Sequence, residues 1–428
     1  MPGPGGVTHT QPSSAFGTKH TPPATIHCPL PSPINPAILP AQRKAKPAPP
    51  NQRLNMPDLI KLTEHLAMDG YDYAYALSTY DLTGNGLPDI ITPDTDVGLY
   101  WLENHGDGNF TRHVIHRKEN EWLERHQIVD INGDGRPEIV TVDNISASLL
   151  YFAYDGDPRL PASWQFHYID EGTITGAYDV AVADFTGNGA LDVAATNWRK
   201  GNQVLWYENS GSGWTKHVIE DDIAETRDIH AVDVNGNGKI DLLATARVGN
   251  QVAWYENSGD PANQGWRKHI IDDAPQPIHG RPVDMDGDGD VDIVMALGML
   301  PPGEQQGATF EHHQVVWYEH DGDPAAGKWR KHIVCERFPH AFEAIAADLD
   351  GDGQLEVIAT AWNVSGRVAV FKHRGDPRGP WDMQLLKDGW TNANMVITAD
   401  LTGNGRLDII AAAERGSNEV RWWRNDSA

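Results

Sequence analysis

Seven short stretches of this 428-residue chain carry oxygen-bearing side chains at alternate positions around two fixed glycines. They begin at Asp81, Asp130, Asp184, Asp233, Asp284, Asp348 and Asp400, and read DLTGNGLPDI, DINGDGRPEI, DFTGNGALDV, DVNGNGKIDL, DMDGDGDVDI, DLDGDGQLEV and DLTGNGRLDI. Calcium takes about six to eight hard oxygen ligands, and a short loop curved by glycine can present them from alternate positions. Loop five offers Asp284, Asp286, Asp288 and Asp292, and loop six offers Asp348, Asp350, Asp352 and Glu356. Loop two offers Asp130, Asn132, Asp134 and Glu138. These three loops are expected to hold structural Ca2+. The other four put Thr or Asn where the richest loops put Asp, and can satisfy themselves through Asx-type hydrogen bonds. A motif present in seven copies marks scaffold, so chemistry is sought among residues that do not repeat.

Those residues cluster before and between the regular segments. Eliminating a group β to a carboxylate or carbonyl needs a base beside an acidic C–H and a partner for the enolate-like charge. His279 and His340 lead as the proton-transferring pair, with His126 third. Arg125, Arg227 and Arg281 can clamp a carboxylate, and Tyr71 or Tyr73 can serve as auxiliary acid. Asp179, Asp228, Glu343, Asn197, Trp198, Arg247 and Trp362 are expected to contact the substrate. Asp179, Asp228 and Glu343 also allow a less favoured two-carboxylate glycosidase. No HExxH, CxxC or dinucleotide fingerprint is present, so a catalytic metal is disfavoured and no organic cofactor is expected.

The elements that must position these groups are strands. The loops recur at intervals of 49, 54, 49, 51, 64 and 52 residues, at or above the length of propeller blades. Each unit alternates as four short strands: strand A runs into the Asp loop, strand B leaves it, strand C is aromatic as in VLWYEN, and strand D reads like WTKHVI. The histidines of strand D (His113, His167, His217, His269, His332) and most Trp residues recur with the repeat and are assigned to packing. The last unit stops after strand C, whereas LIKLTEHL (59–66) precedes the first unit without a blade of its own. Pairing it with the C-terminal strand completes blade seven and removes open edges. The expected fold is an all-β, seven-bladed β-propeller of four-stranded blades over 57–428. Asp loops and C–D turns then share one face; the variable D–A and B–C loops share the other, with the long segment 298–313 overhanging it.

These repeats resemble the FG-GAP/VCBS-like family, whose Asp-rich, Gly-containing loops lie within propeller blades; the resemblance covers about 58–425. The WYEN and W-x-K-H-V-I segments look like those of sugar-active propellers, among them aldos-2-ulose dehydratase, rhamnose–glucuronate lyases and a mushroom lectin. The resemblance implies a lyase or dehydratase acting on a sugar or uronic-acid-containing glycan at one site in the propeller funnel. The alternative is a lectin-like or protein-interaction propeller with structural calcium.

A formal charge of −26 leaves no basic excess for a nucleic-acid backbone, and no apolar run is long enough to span a membrane. The expected partner is a sugar or glycan, and the chain is expected to be monomeric. Cys28 and Cys335 alone make no disulfide framework. Residues 1–56 are Pro-rich, lack the apolar core of a secretory signal and are expected to be disordered; Met56 offers an alternative start. A cytoplasmic location follows by default, or secretion if the N-terminus is misassigned.

Overall fold

The computed structural model describes residues 60–118, 120–199, 201–301, 304, 310–364 and 366–427. The tail expected over 1–56 lies outside them. Among the described residues there are seven four-stranded antiparallel sheets. In the first six, the strands follow in chain order from A to D; blade two, for example, runs Leu123–Val129, Glu138–Asp143, Ser148–Tyr154 and Trp164–Asp170. Blade seven takes Ala393–Ala399, Asp408–Ala413 and Glu419–Asn425 from the C-terminus, and its outer strand is Leu62–Met68. The closing strand therefore begins at Leu62, a few residues later than the expected 59–66. Among the described residues, helix is confined to single turns such as Pro261–Gln264, and none is long and apolar enough to cross a membrane.

Burial explains the sequence pattern. Strand B is buried on both faces in every blade, as in Asp192–Asn197 and Asp408–Ala413, because it lies between neighbouring strands and between neighbouring blades. Its small and β-branched residues suit that place. Strand D is the outer edge and alternates between half-buried and exposed.

The Asp loops tie each blade together without requiring an ion. Asp192 Oδ2 accepts from Phe185 N of its own loop (3.0 Å) while Oδ1 accepts from Asn209 N at the end of strand C (2.7 Å). Asp89, Asp241 and Asp408 make the same two bonds. The Asn that ends strand C then reaches the previous blade: Asn257 Nδ2 donates to Phe185 O (2.8 Å), and Asn104 Nδ2 to Leu401 O (2.8 Å). The Asn104 bond joins blade one to blade seven.

The strand D histidines pack as expected. His113, His217, His269 and His332 stack on Trp101, Trp206, Trp254 and Trp317, and each meets a strand C glutamate. His65 of the N-terminal strand stacks on Trp422 at 4.7 Å and stands opposite it in register. It takes the place that a strand D histidine takes in other blades.

Candidate functional site

Strand A is the innermost strand, and its first residues carry the axial side chains. In blades two to seven its pairing with strand B slips near the start, for instance between Leu123 and His126 or Pro277 and Gly280. Such an irregularity re-aims consecutive side chains. Neighbouring blades also hold these segments: Thr196 Oγ1 donates to Arg227 O (2.7 Å) and Thr245 Oγ1 to Ile278 O (2.8 Å). The result is two chambers with a polar plug between them.

The larger chamber, about 560 Å³, opens among the variable D–A and B–C loops. Its walls are aromatic: Tyr73, Tyr75, Trp122, Tyr178, Trp198, Phe342 and Trp362. Its charged groups are Glu124, Arg199, Arg227, Glu414 and Arg415, with amides from Asn144, Asn363 and Asn392. Arg227 and Arg199 both stack on Trp198, at 3.8 and 3.7 Å from the ring centre. Arg415 covers Tyr73 at 4.5 Å and Trp122 at 5.1 Å. Cation–π contact holds these guanidinium groups in place while leaving their N–H edges for a ligand.

The two carboxyl groups are gripped alike. Trp122 Nε1 donates to Glu124 Oε1 (2.6 Å), and Trp362 Nε1 donates to Glu414 Oε1 (2.5 Å). Burial, and secondarily repulsion from Glu414, pushes Glu124 up to about 8, against the pull of Trp122 and Arg227. Burial pushes Glu414 up to about 7, against hydrogen bonds from Tyr73 and Trp362. At neutral pH Glu124 is mostly a neutral acid and Glu414 is poised near half-ionisation. The chamber therefore presents more positive than negative charge.

The smaller chamber, about 330 Å³, lies on the Asp-loop side of the axis. It is lined by Ser78, Arg125, His126, Asp179, His230 and Arg281, among others. His126 bonds Ser78 Oγ (2.6 Å); burial and the nearby Arg125 push its imidazole down to about 3. Between the chambers, Asp228 meets His279 (3.3 Å), His230 (3.1 Å) and Arg281 (3.4 Å). Glu343 pairs with Arg281 (2.5 Å) and with Arg125. Asp228 is held below the usual carboxylate range by His230, His279 and Arg281, and Glu343 by Arg125 and Arg281, despite complete burial.

The residues expected from sequence thus fall in several places. Tyr73, Arg227, Trp198 and Trp362 share the large chamber. Arg125, His126, Asp179 and Arg281 face the small one, and His279, Asp228 and Glu343 belong to the plug between. His340 stands apart: its backbone N–H bonds His313 Nδ1 (2.8 Å), its Nε2 meets Asn363 Nδ2 (3.1 Å), and Phe310 covers it. Tyr71 packs beneath Arg112. Asn197 is used in pinning Gln203 N (2.5 Å), and Arg247 is bound by Glu225 and by Glu304 from the long blade-five segment. No role was expected of Glu124 or Glu414, because nothing in their spacing reveals the indoles that hold them.

Two of the expected calcium loops gather three carboxylates whose oxygens lie within 4.8 Å of one another: Asp284, Asp286 and Asp292, and Asp348, Asp350 and Glu356. Asp288 and Asp352 are outside these groups, and among the described residues loop two (Asp130, Asn132, Asp134, Glu138) forms no such triplet. Lys372 Nζ reaches Asp350, Asp352 (3.1 Å) and Glu356 (3.2 Å), and Arg378 reaches Asp286. Asp350 Oδ1 is nevertheless buried without a hydrogen-bond partner. Hard, crowded, incompletely satisfied oxygens fit Ca2+.

Comparison with curated proteins finds no match. A solved lectin structure from Agrocybe aegerita, described by its recognition of non-reducing terminal N-acetylglucosamine, is 17% identical with a TM-score of 0.44, over 88% of this chain and 89% of the lectin. The FG-GAP-like repeat matches at residues 81–141, 130–195, 184–244, 233–295 and 348–411. Each match spans two successive Asp loops, so that together they take in all seven of the loops that bind blade to blade. Through them, the chain belongs to the FG-GAP-like repeat family.

Proposed function

We propose that the large chamber binds a sugar carrying an acidic group and catalyses elimination across one of its C–O bonds, as a lyase or dehydratase. One observation carries this reading: Glu124 and Glu414, each held by an indole N–H, share a single aromatic-walled chamber with Arg199, Arg227 and Arg415. Flat aromatic faces suit the C–H faces of a pyranose, and a few convergent polar groups fix its orientation. The arginines suit a carboxylate, which they would bind and whose enolate-like charge they would stabilise. A carboxyl kept neutral near neutral pH, as Glu124 is by burial, suits the general acid that protonates the leaving oxygen. The volume lies within the range of small-ligand sites, roughly 300–1,000 Å³.

Calcium in loops five and six would brace the opposite face. Their triplets lie among the A–B turns, away from the chamber, so the ion would have a structural part.

The test uses the whole chain with a panel of neutral and uronate-containing oligosaccharides. Binding is followed by tryptophan fluorescence, because Trp122, Trp198 and Trp362 all line the chamber. Turnover is followed by ultraviolet absorbance of the conjugated unsaturated product. Saturable binding of acidic sugars with product formation is the expected result. Binding without product points to a lectin, and failure to bind any acidic sugar sinks the reading.

A further inference from the structure

The chamber floor ends in a chain of hydrogen bonds that involves neither Glu124 nor Glu414. Tyr75 and Tyr178 both line the large chamber, and their hydroxyl oxygens are 2.5 Å apart. The Tyr178 hydroxyl lies 2.9 Å from His279 Nε2, and His279 Nδ1 lies 3.3 Å from Asp228 Oδ1. Asp228 Oδ2 is 3.1 Å from His230 Nε2, which also meets Arg281 Nη1 (2.9 Å), and His230 lines the small chamber on the other side. The series therefore runs along the axis from one chamber to the other.

Its polarity follows from the partners. Asp228 is ionised, because Arg281 and His230 hold it below the usual carboxylate range, so it can only accept; His279 must carry its proton on Nδ1. His279 is neutral, since burial and Arg125 push it down to about 4, so Nε2 accepts and Tyr178 donates to it. With its proton committed there, Tyr178 accepts from Tyr75. Tyr75 is thus the end of the chain that meets the chamber.

Resting on the elimination reading above, we propose that Tyr75 is the base of this site and that Tyr178 and His279, anchored by Asp228, relay its proton away from the reacting carbon. As the C–H bond of the sugar breaks, its proton passes to the Tyr75 oxygen while Tyr75 gives its own to Tyr178, and Tyr178 gives its own to His279 Nε2. The C–H electron pair becomes the new C=C bond, the C–O bond breaks with its pair on the leaving oxygen, and that oxygen takes the proton of Glu124. His279 becomes imidazolium against Asp228 and, once the product has left, returns the proton through Tyr178 and Tyr75 to water in the large chamber, which restores the Nδ1–H tautomer; Glu124 regains a proton from the chamber mouth. No oxidant or cofactor is required. A free phenolate at Tyr75 is disfavoured by burial, which a concerted transfer avoids; Tyr178 and Arg125 face it, as do Glu124 and Tyr73. Tyr178 is likewise raised to about 12 by burial, against Arg227 and Arg125. Tyr75 is the catalytic residue here, and Tyr178 and His279 position and relay.

Three measurements on the full chain decide the matter. Tyr75→Phe should lower kcat by ~100-fold or more while sugar binding by fluorescence stays within about threefold. His279→Gln can still accept from Tyr178 but cannot carry the proton, so it should lower kcat comparably and leave KM nearly unchanged. Nitrogen-15 NMR of His279 should show the Nδ1–H tautomer in the resting protein, a readout independent of turnover. An Nε2–H tautomer, or Tyr75→Phe with undiminished turnover, overturns the relay while leaving the elimination reading in place. A wild-type chain that binds acidic sugars and turns none over overturns both.

Discussion

Glu124 and Glu414 owe their raised pKa values chiefly to desolvation, and this has two consequences with opposite practical signs. A carboxyl whose folded pKa exceeds its unfolded value binds its proton more tightly in the native state. Its contribution is therefore favourable at low pH and is lost as pH rises from the ordinary glutamate value, about 4.3, through about 7 for Glu414 and about 8 for Glu124. Glu124→Gln should flatten the fall in thermal stability across that window, measured by pH-dependent melting, and should remove turnover, whose alkaline limb near pH 8 reports loss of this proton. His126 and His279 work the other way: lowered to about 3 and about 4, they cost stability as pH falls below the unfolded value of about 6.5. Arg227 presents a planar fork stacked on Trp198 and Tyr178. Arg227→Lys keeps the charge and loses the plane, so titration of an acidic sugar should show binding weakened by about tenfold, or ~1.4 kcal/mol. Binding of a neutral analogue should change little.

At the scale of the element, the N-terminal strand is held by more than a backbone ladder. Glu64 takes ion pairs from Lys387 (2.5 Å) and Arg421 (2.8 Å), Gln384 exchanges bonds with both backbone groups of Ile60, and His65 stacks on Trp422. His65→Ala should cost ~1 kcal/mol in chemical denaturation, leaving sugar binding intact, because the strand lies at the rim of the ring. The blades were legible in the sequence because strand alternation, Asp loops and turns each repeat. The missing strand D made 59–66 the candidate latch, and its His65 matches the histidine of W-x-K-H-V-I, a second signal at the same position. The chambers were less legible. Slippage at the start of strand A breaks the two-residue alternation where the axial residues lie, so adjacent Arg125 and His126 could not be assigned to a chamber by counting. Tyr75, two residues beyond the named Tyr73, fell outside the expected set because it precedes the short first strand of blade one, Ser78–Tyr80, where no alternation marks it. Glu124 and Glu414 draw their character from Trp122 and Trp362, and the Trp362–Glu414 partnership joins the B–C loops of neighbouring blades six and seven, 52 residues apart in sequence.

At the scale of the whole molecule, the acidic charge and the ring depend on one another. Loops five and six crowd carboxylates that Lys372 and Arg378 only partly neutralise. Added calcium should raise the melting temperature, and a chelator should lower it, without altering sugar preference. Lys372→Ala sharpens the test: it should destabilise the calcium-free protein and be nearly silent in the calcium-loaded one, where the ion supplies the charge that the ammonium otherwise supplies. Equal destabilisation in both states would argue that calcium does not enter loop six.

The latch between the N-terminal strand and Glu419–Asn425 also sets a timetable for synthesis. Glu64 and its partner Arg421 are 357 residues apart. At translation rates of about 5–20 residues per second, the first strand emerges roughly 20 to 70 seconds before its partner exists. Six blades can form in that interval, each from its own contiguous strands, but the seventh cannot. The growing chain therefore carries an unpaired strand and, in the ring, an uncovered sheet edge until Glu419–Asn425 has been made. Chaperones that shield strand edges would matter most to this protein on the ribosome, and a ribosome stalled before Glu419 would leave an open, sticky ring.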